Sequence, residues 1–486
     1  MLIIYSALVF ILALKHEPWF DEGQAWLLAR DASLTDLIWK YLRYEGSTGL
    51  WHLLLIPPAK LGLPYHSINY ISIAIAIAGV YVFLKYSPFP PVIKTIFPFT
   101  YFIFYQYAVV ARSYVLMPLL LFSIAVIYKD RYSKPGWFTL LILLLANTNL
   151  HGFLISAGIL GVNFIELIPK WKDLSKSYRV KQVLLYSAFV LMALFTVAML
   201  WPPEDLEVGK GFNFNILYIL ETSAITLLDS LTTNMLFQRL PYELYYIIFT
   251  IVIAVLVLAM SLVWFKSKKT LLLYAATTIP LLALFTIKYV SVWHEGILFL
   301  VWIFVLWISF ENKTDRIVIN NKFAKLINKF AICMALMFVF VIQVYWSCYV
   351  FEYDYFYNYS ASRDVADYIK ENNLEGKIIC ATGFHSVSIL PYFKENILSN
   401  YSNGQKKPSF WLWSTNNETA RYTTELNDII KMKPDLIILS AKMEPLENCI
   451  INIPGYKRLR VFEGYICWKD VLYEEDAFVL YEKINR

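Results

Sequence analysis

Long apolar runs alternate with short charged loops in this chain, and that alternation limits what it can fold into. Hydrophobic residues make up 58% of the 486 residues and charged residues only 16%, against about 25% in ordinary soluble domains. Apolar runs of about 18 residues or more read as membrane helices. Spans are expected at roughly 2–14, 68–85, 94–110, 114–128, 137–150, 153–168, 183–201, 242–264, 270–287, 296–310 and 330–350, about eleven crossings of a hydrocarbon core that takes about 20 residues per helix. Aromatics, at 17%, suit helices anchored by Trp and Tyr at both interfaces. The apolar start, Met1 to Leu14 followed by Lys15, has no positive leading region and no small-x-small site after it. It reads as the first span rather than a cleaved signal.

Segment 49–63 is apolar but short and broken by Pro57 and Pro58. It is either a further span or a helix in the interface plane. Counting Lys and Arg favours the second. With 49–63 at the surface, the loops 86–93 (flanked by Lys85 and Lys94), 129–136, 169–182, 265–269 and 311–329 all fall on one side, and they hold every dense basic cluster. That places the N-terminus inside. Loop 15–67, the turn 111–113, loop 202–241 and the C-terminal region then lie outside. The net charge of +6 marks loops between spans, so it does not argue for nucleic acid.

Within loop 15–67, Glu22 to Tyr44 mixes Trp26, Leu27, Leu34, Leu37, Ile38, Tyr41 and Leu42 with Arg30, Asp31, Asp36, Lys40 and Arg43, as an interfacial helix pair requires. Residues 351–486 change character. A helix is expected over 363–372, strands at 377–381 and 435–440 with a helix at 424–431 between them, and a last strand from Phe478: a small α/β domain. No repeat appears. The five cysteines lack CxxC spacing. Cys380, Cys449 and Cys467 allow either one disulfide or three buried thiols.

Some polar residues sit where charge is expensive. Asp21 and Glu22 follow the first span directly. A carboxylate held under a cavity roof has a raised pKa and serves as a general base; the plainer role for Asp21 is an N-cap. Arg112 lies between two apolar spans with almost no loop, where an arginine either faces a cavity or an anion or snorkels to the headgroups. Its fork suits two phosphate oxygens. His151, His294 and Glu295 occupy further turns on the outer side, and Lys288 precedes the last two. A His pair with Asp21 and Glu22 offers divalent-cation ligands, but no compact spacing such as HExxH supports a metal.

The Asp-Glu pair in the first outer loop, the amphipathic stretch after it, the Arg112-x-Tyr114 turn and the late turn at His294 resemble the GT-C class of integral membrane glycosyltransferases. The likeness covers about residues 1–310. It points to the branch with protein O-mannosyltransferases, lipid A aminoarabinose transferases and related lipopolysaccharide sugar transferases. The resemblance implies Asp21, with Glu22 beside it, as the catalytic carboxylate. It implies Arg112, Tyr114, His294 and Lys288 at the donor phosphate, a polyprenyl-phosphate sugar as donor and a hydroxyl of a glycan, lipid or protein as acceptor. No cofactor is required on this reading, and the setting is the cytoplasmic membrane. Many members carry His-Pro-Pro after the first loop; here the stretch is Glu45-Gly-Ser-Thr-Gly-Leu-Trp-His, without those prolines. Glu45, His151 and Glu295 are further substrate-site candidates. The fold class expected is a polytopic α-helical membrane protein over 1–350, GT-C-like, with an extracytoplasmic α/β domain over 351–486. A multi-span transporter, a non-catalytic envelope assembly protein and a binding module in the C-terminal region are the alternatives. The first should show inverted repeats, and none is seen.

Overall fold

A computed structural model describes residues 1–207, 214–232, 244–288, 290–312, 322–416, 424–441, 446–468, 471–474 and 476–484. Residues 313–321 of the basic loop 311–329, and residues 208–213 and 233–241 of loop 202–241, lie outside the described residues. The chain is mostly helical, with a small mixed sheet near its C-terminus.

The first helix, α1 (Leu2–Lys15), buries Tyr5, Val9, Leu12 and Ala13 along one stripe, while Ile3, Phe10 and Leu14 face outward. Pro18 forbids its continuation, because proline lacks the amide hydrogen and pushes the preceding residue out of helical geometry. The chain turns by 84° into α2 (Phe20–Asp31). Then come short helical turns over 34–45, α3 (Leu50–Lys60), which contains Pro57 and Pro58, and α4 (Ser67–Tyr86). The expected span 94–110 is broken into Pro91–Ile96, Phe97–Phe99 and Phe102–Gln106, with irregular backbone to Arg112. Eight helices carry the rest of the apolar chain: α5 (Leu116–Tyr128), α6 (Pro135–Ala146), α7 (Leu150–Leu167), α8 (Lys176–Leu200), α9 (Ile216–Thr232), α10 (Leu244–Ser267), α11 (Leu271–Ile287) and α12 (Val292–Glu311). The long α13 (Lys322–Phe356) leads into the C-terminal region.

Five of these helices are long and apolar enough to cross a membrane, or six if the bent pair α1 and α2 is one broken span. Shorter apolar helices are Ser113–Tyr128, Pro135–Ala146, the Ile251–Ser267 part of α10, and Leu271–Ile287. Burial separates two roles. In α12, 89% of the apolar window is inside the protein; in α8 only 11% is. Leu184, Leu191 and Leu194 of α8 are exposed, at 63–67%. Water would not tolerate an apolar face of that size, whereas lipid would. The chain is a multi-pass membrane protein.

In the C-terminal region, α14 (Ser362–Glu371) and α15 (Leu426–Lys431) flank a four-stranded sheet of β1 (Ile379–Ala381), β2 (Leu436–Ser440), β3 (Tyr456–Phe462) and β6 (Phe478–Lys483). Its order is β1-β2-β6-β3, with β1 parallel to β2 and the other pairs antiparallel. β4 (Ile466–Trp468) and β5 (Val471–Tyr473) form a separate hairpin. The expected helices and strands appear near their expected places; β3 and the β4–β5 hairpin were not anticipated. Strand alternation gives the sheet two faces. Leu436, Ile438, Phe478 and Leu480 belong to the same continuous core as α1, α4 and α12, through Val387 and Ile389. Ile437, Leu439, Val479 and Tyr481 form a smaller core with Ile429. No disulfide joins the five cysteines.

The stretch Glu22 to Tyr44 does not keep one apolar face. Trp26, Leu27, Leu28 and Ala29 of α2 are all buried, and α2 packs against α3 on one side and residues 384–392 on the other. The exposed apolar residues come later, at Leu34 and Trp39.

A buried ionic joint locks the bend between α1 and α2. His16 donates to Asp354 of α13 (Nδ1–Oδ2 2.8 Å) and faces Glu22 (Nε2–Oε2 3.3 Å), with all three side chains fully buried. Burial alone lowers the His16 pKa, but the two carboxylates outweigh it and push it up to about 10. A histidine with a raised folded pKa stabilises fully below its unfolded value of about 6.5 and loses that contribution as pH climbs through the folded one. Two outcomes follow for detergent-solubilised protein followed by thermal unfolding. Stability falls as pH rises toward 10, and His16→Ala costs about 3–5 kcal/mol by stranding two buried carboxylates. In the His16→Ala protein the alkaline decline is smaller; an unchanged decline would mean that another group causes it.

Candidate functional site

The first turn of α2 faces the irregular segment 107–112, and its adjacent carboxylates do different work. Asp21 points toward Arg112, with Oδ2 2.9 Å from Nη2, and both side chains remain partly exposed. Glu22 is fully buried. Its Oε1 accepts the Ala111 amide at 2.6 Å, and its Oε2 accepts the Trp19 amide at 3.1 Å. Two neighbouring acids therefore hold two neighbouring residues, one by its side chain and one by its backbone. Arg112 also lies over the rings of Trp293 (4.7 Å) and Tyr114 (5.3 Å), a cation–π setting that fixes the guanidinium plane.

Asp21 and Arg112 line a cavity of about 410 Å³. Its polar lining contains the carboxylates Asp21 and Glu45, the cations Arg43, Arg112 and Lys288, and the imidazoles His52, His151 and His294. Tyr44, Tyr114, Gln24, Asn149, Ser47 and Ser113 also line it. These residues come from α2, the turn after it, α3, segment 112–114, α7, α11 and α12. Leu200 and Leu284, from α8 and α11, supply an apolar side. Pro202, Leu206 and Trp413 close over it. There, Leu206 bridges Ser414 in an antiparallel pair, and Asp205 accepts hydrogen bonds from Tyr44 (2.9 Å) and Ser414.

The surroundings assign partners within the lining. Ser291 caps α12, and the His294 Nδ1 accepts the Ser291 amide at 3.0 Å while its Nε2 lies 3.2 Å from the Tyr114 hydroxyl. His151 sits in the first turn of α7 with its ring 4.7 Å from that of His294. The Nδ1 atoms of His52 and His151 are buried without a hydrogen-bond partner, a costly state that a polar guest would relieve. Burial holds the His52 pKa down to about 4, so the ring is neutral at physiological pH. Gln24 reads the backbone of Trp411 with both ends of its amide (Nε2 to O 2.7 Å, N to Oε1 2.9 Å) and also donates to Glu45 Oε1 at 2.7 Å. Burial pushes the Glu45 pKa up to about 7; the Gln24 bond opposes that shift and the Asp21 charge adds to it.

Of the residues singled out from the sequence, Asp21, Glu45, Arg112, Tyr114, His151, Lys288 and His294 meet in this cavity. Glu22 does not line it; its three bonds are spent on the scaffold. Glu295, one residue past His294, is buried and also lies outside the lining. Sequence reasoning passed over Gln24, His52 and Trp413. Gln24 lies one helical turn past Asp21, so spacing alone would have put it on the same face. Nothing in the linear pattern brings Trp413 to the same place. No group of three or more His, Cys, Asp or Glu among the described residues is arranged to hold a metal ion. No family model, curated protein or solved structure matches this chain.

Glu45 gives the cavity a titration near neutrality. A protonated carboxyl band is expected in infrared spectra of the purified protein at pH 6 and should fade by pH 8. Burial also pushes the Glu17 pKa up to about 8, so a Glu17 band stays in the Glu45→Gln protein, while the part that fades between the two values should shrink. An undiminished difference between pH 6 and pH 8 in that variant would place the titrating acid elsewhere.

Proposed function

We propose that this protein is an integral membrane glycosyltransferase of the GT-C type, moving a sugar from a polyprenyl-phosphate carrier to an acceptor hydroxyl at the outer face of the cytoplasmic membrane. The observation that carries the reading is the convergence of Asp21 and Arg112, at 2.9 Å, in a cavity that also gathers Tyr114, Lys288 and His294. The GT-C resemblance asks for a carboxylate beside cationic groups at this location.

The chemistry on this reading is a displacement. Asp21 takes the proton of the acceptor hydroxyl as its oxygen attacks the anomeric carbon. The bond from that carbon to the phosphate oxygen breaks, and the carrier leaves as polyprenyl phosphate. Arg112 and Lys288 offset its developing charge, and Tyr114 and His294 hold the phosphate side. Incoming phosphate competes with Asp21 for the Arg112 guanidinium, so donor binding loosens the ion pair and frees the base. The apolar side at Leu200 and Leu284 suits the start of a lipid chain. The Glu45 charge, gained as pH rises through about 7, adds a second anionic carboxylate to the cavity that holds Asp21. The reading includes about eleven crossings, segment 49–63 at the interface, the N-terminus inside and the C-terminal domain outside.

Membranes containing the protein and given radiolabelled polyprenyl-phosphate sugars should transfer label to an endogenous or added acceptor. Asp21→Asn should lower the rate by about 10²–10⁴-fold, the range for a lost general base. Equal transfer by both proteins would remove Asp21 from the chemistry. In the wild type the rate should rise between pH 6 and 8, and Glu45→Gln should flatten that limb. For topology, a periplasm-dependent reporter fused after residue 486 should be active, and a cytoplasm-dependent one silent; the reverse would overturn the orientation.

A further inference from the structure

The first turn of α2 is capped only in part by its own neighbourhood: Glu22 accepts the Trp19 amide at 3.1 Å, but Trp19, at the N-cap, offers no side-chain oxygen to the helical amides that follow. The backbone amide of Phe20, first in the helix, donates to Asp476 Oδ2 at 3.1 Å, across 456 residues of chain. Asp476 is fully buried. Its Oδ1 accepts from His385 Nδ1 at 2.7 Å, and Oδ2 also accepts from Ser360 at 3.1 Å. The His385 ring stacks on Phe20 at 5.3 Å and approaches Trp19. A carboxylate at a helix N-terminus fills a vacant amide bond and meets the positive end of the helix dipole.

The grip continues along α2. Gln24 is bonded twice to Trp411, Arg30 Nη1 donates to the Phe393 carbonyl at 2.7 Å, and Asp31 accepts the Ser409 amide at 2.9 Å. Gly23 faces residues 384–392 at van der Waals distance. Successive turns of α2 are thus tied to the region after α13.

We infer that Asp476, held by His385, is a positioning residue that sets Asp21 against Arg112, so that the C-terminal domain is a working part of the membrane site. The inference rests on the glycosyl-transfer reading only for its kinetic consequence. Asp21 is the next residue after Phe20, and its carboxylate must meet a guanidinium fixed by Trp293 and Tyr114. A helix start that loses its cap frays and carries Asp21 with it. Misplacement on the order of 1 Å costs about 10²-fold in rate.

The test uses the full chain in detergent and has two arms. In the first, Asp21→Cys is alkylated by a water-soluble maleimide and the labelled site is read by peptide mass spectrometry, with Leu34→Cys, past the far end of α2, as reference. Adding Asp476→Asn should change the rate at position 21 by threefold or more and leave position 34 unchanged. No change at 21, or an equal change at both, overturns the inference. In the second arm, Asp476→Asn should lower kcat for polyprenyl-phosphate sugar at least tenfold with donor KM within twofold, and Asp476→Glu should recover part of it. A parallel loss matching the unfolded fraction, or unchanged kcat, overturns the positioning role. If Asp476→Asn does not fold, His385→Gln replaces it in both arms, with the same outcomes counting for and against. If the wild type transfers no sugar, the proposed reaction fails, and the alkylation arm still decides the positioning.

Discussion

Everything at the candidate site depends on how the first turn of α2 meets the backbone at Ala111 and Arg112. Asp21 holds the arginine side chain and Glu22 holds the amide before it. The second bond is fully buried, which makes it the stronger constraint, since an unpaired donor or carboxylate there would bear its full desolvation cost. The first is partly exposed, which leaves it able to exchange partners. A rigid clamp beside an exchangeable ion pair suits the proposed transfer, in which the site takes up a phosphate without losing its shape.

The membrane part is organised to keep that turn in place. α12 runs through the centre, and α8 turns its leucines outward. Around α12, Phe83, Phe97, Phe122 and Trp307 pack ring against ring, with Phe83 and Phe97 centroids 3.8 Å apart. His294 and Trp293 sit at the end of that packed helix, so their positions inherit its rigidity. On the other side, His16 ties α1 and α2 to Asp354 of α13. The same core then passes through Val387 and Ile389 into the sheet. The C-terminal region is continuous with the bundle by packing, and Asp476 exploits that continuity.

Legibility differed by the kind of signal. Helices over the apolar runs could be read because apolarity and its length are local properties of the chain. The break of 94–110 carries one local mark, Pro98, where the helix gives way after Ile96; the further departure at Tyr107 to Ala111 carries none, because the apolar count stays high. Asp21, Arg112, His151 and His294 stood out because a polar residue between apolar runs is costly unless something receives it. Glu22 stood out for the same reason, yet its receiver is the scaffold. Adjacent residues in a helix point about 100° apart, so one acid of such a pair meets the cavity and the other the core, and the linear pattern cannot say which.

By itself the sequence determined the apolar character of the protein, the places of most of its helices though not of α9, the α/β character of its C-terminal region and seven of the residues that line one cavity. Those follow from apolar periodicity and from the cost of charge, which act residue by residue. The tertiary structure alone decided which carboxylate faces the cavity, that Gln24 bonds Glu45 there, and that Asp476 caps a helix 456 residues away. Those depend on contacts between distant segments, and a backbone amide that needs a partner carries no mark in the sequence of where the partner will come from.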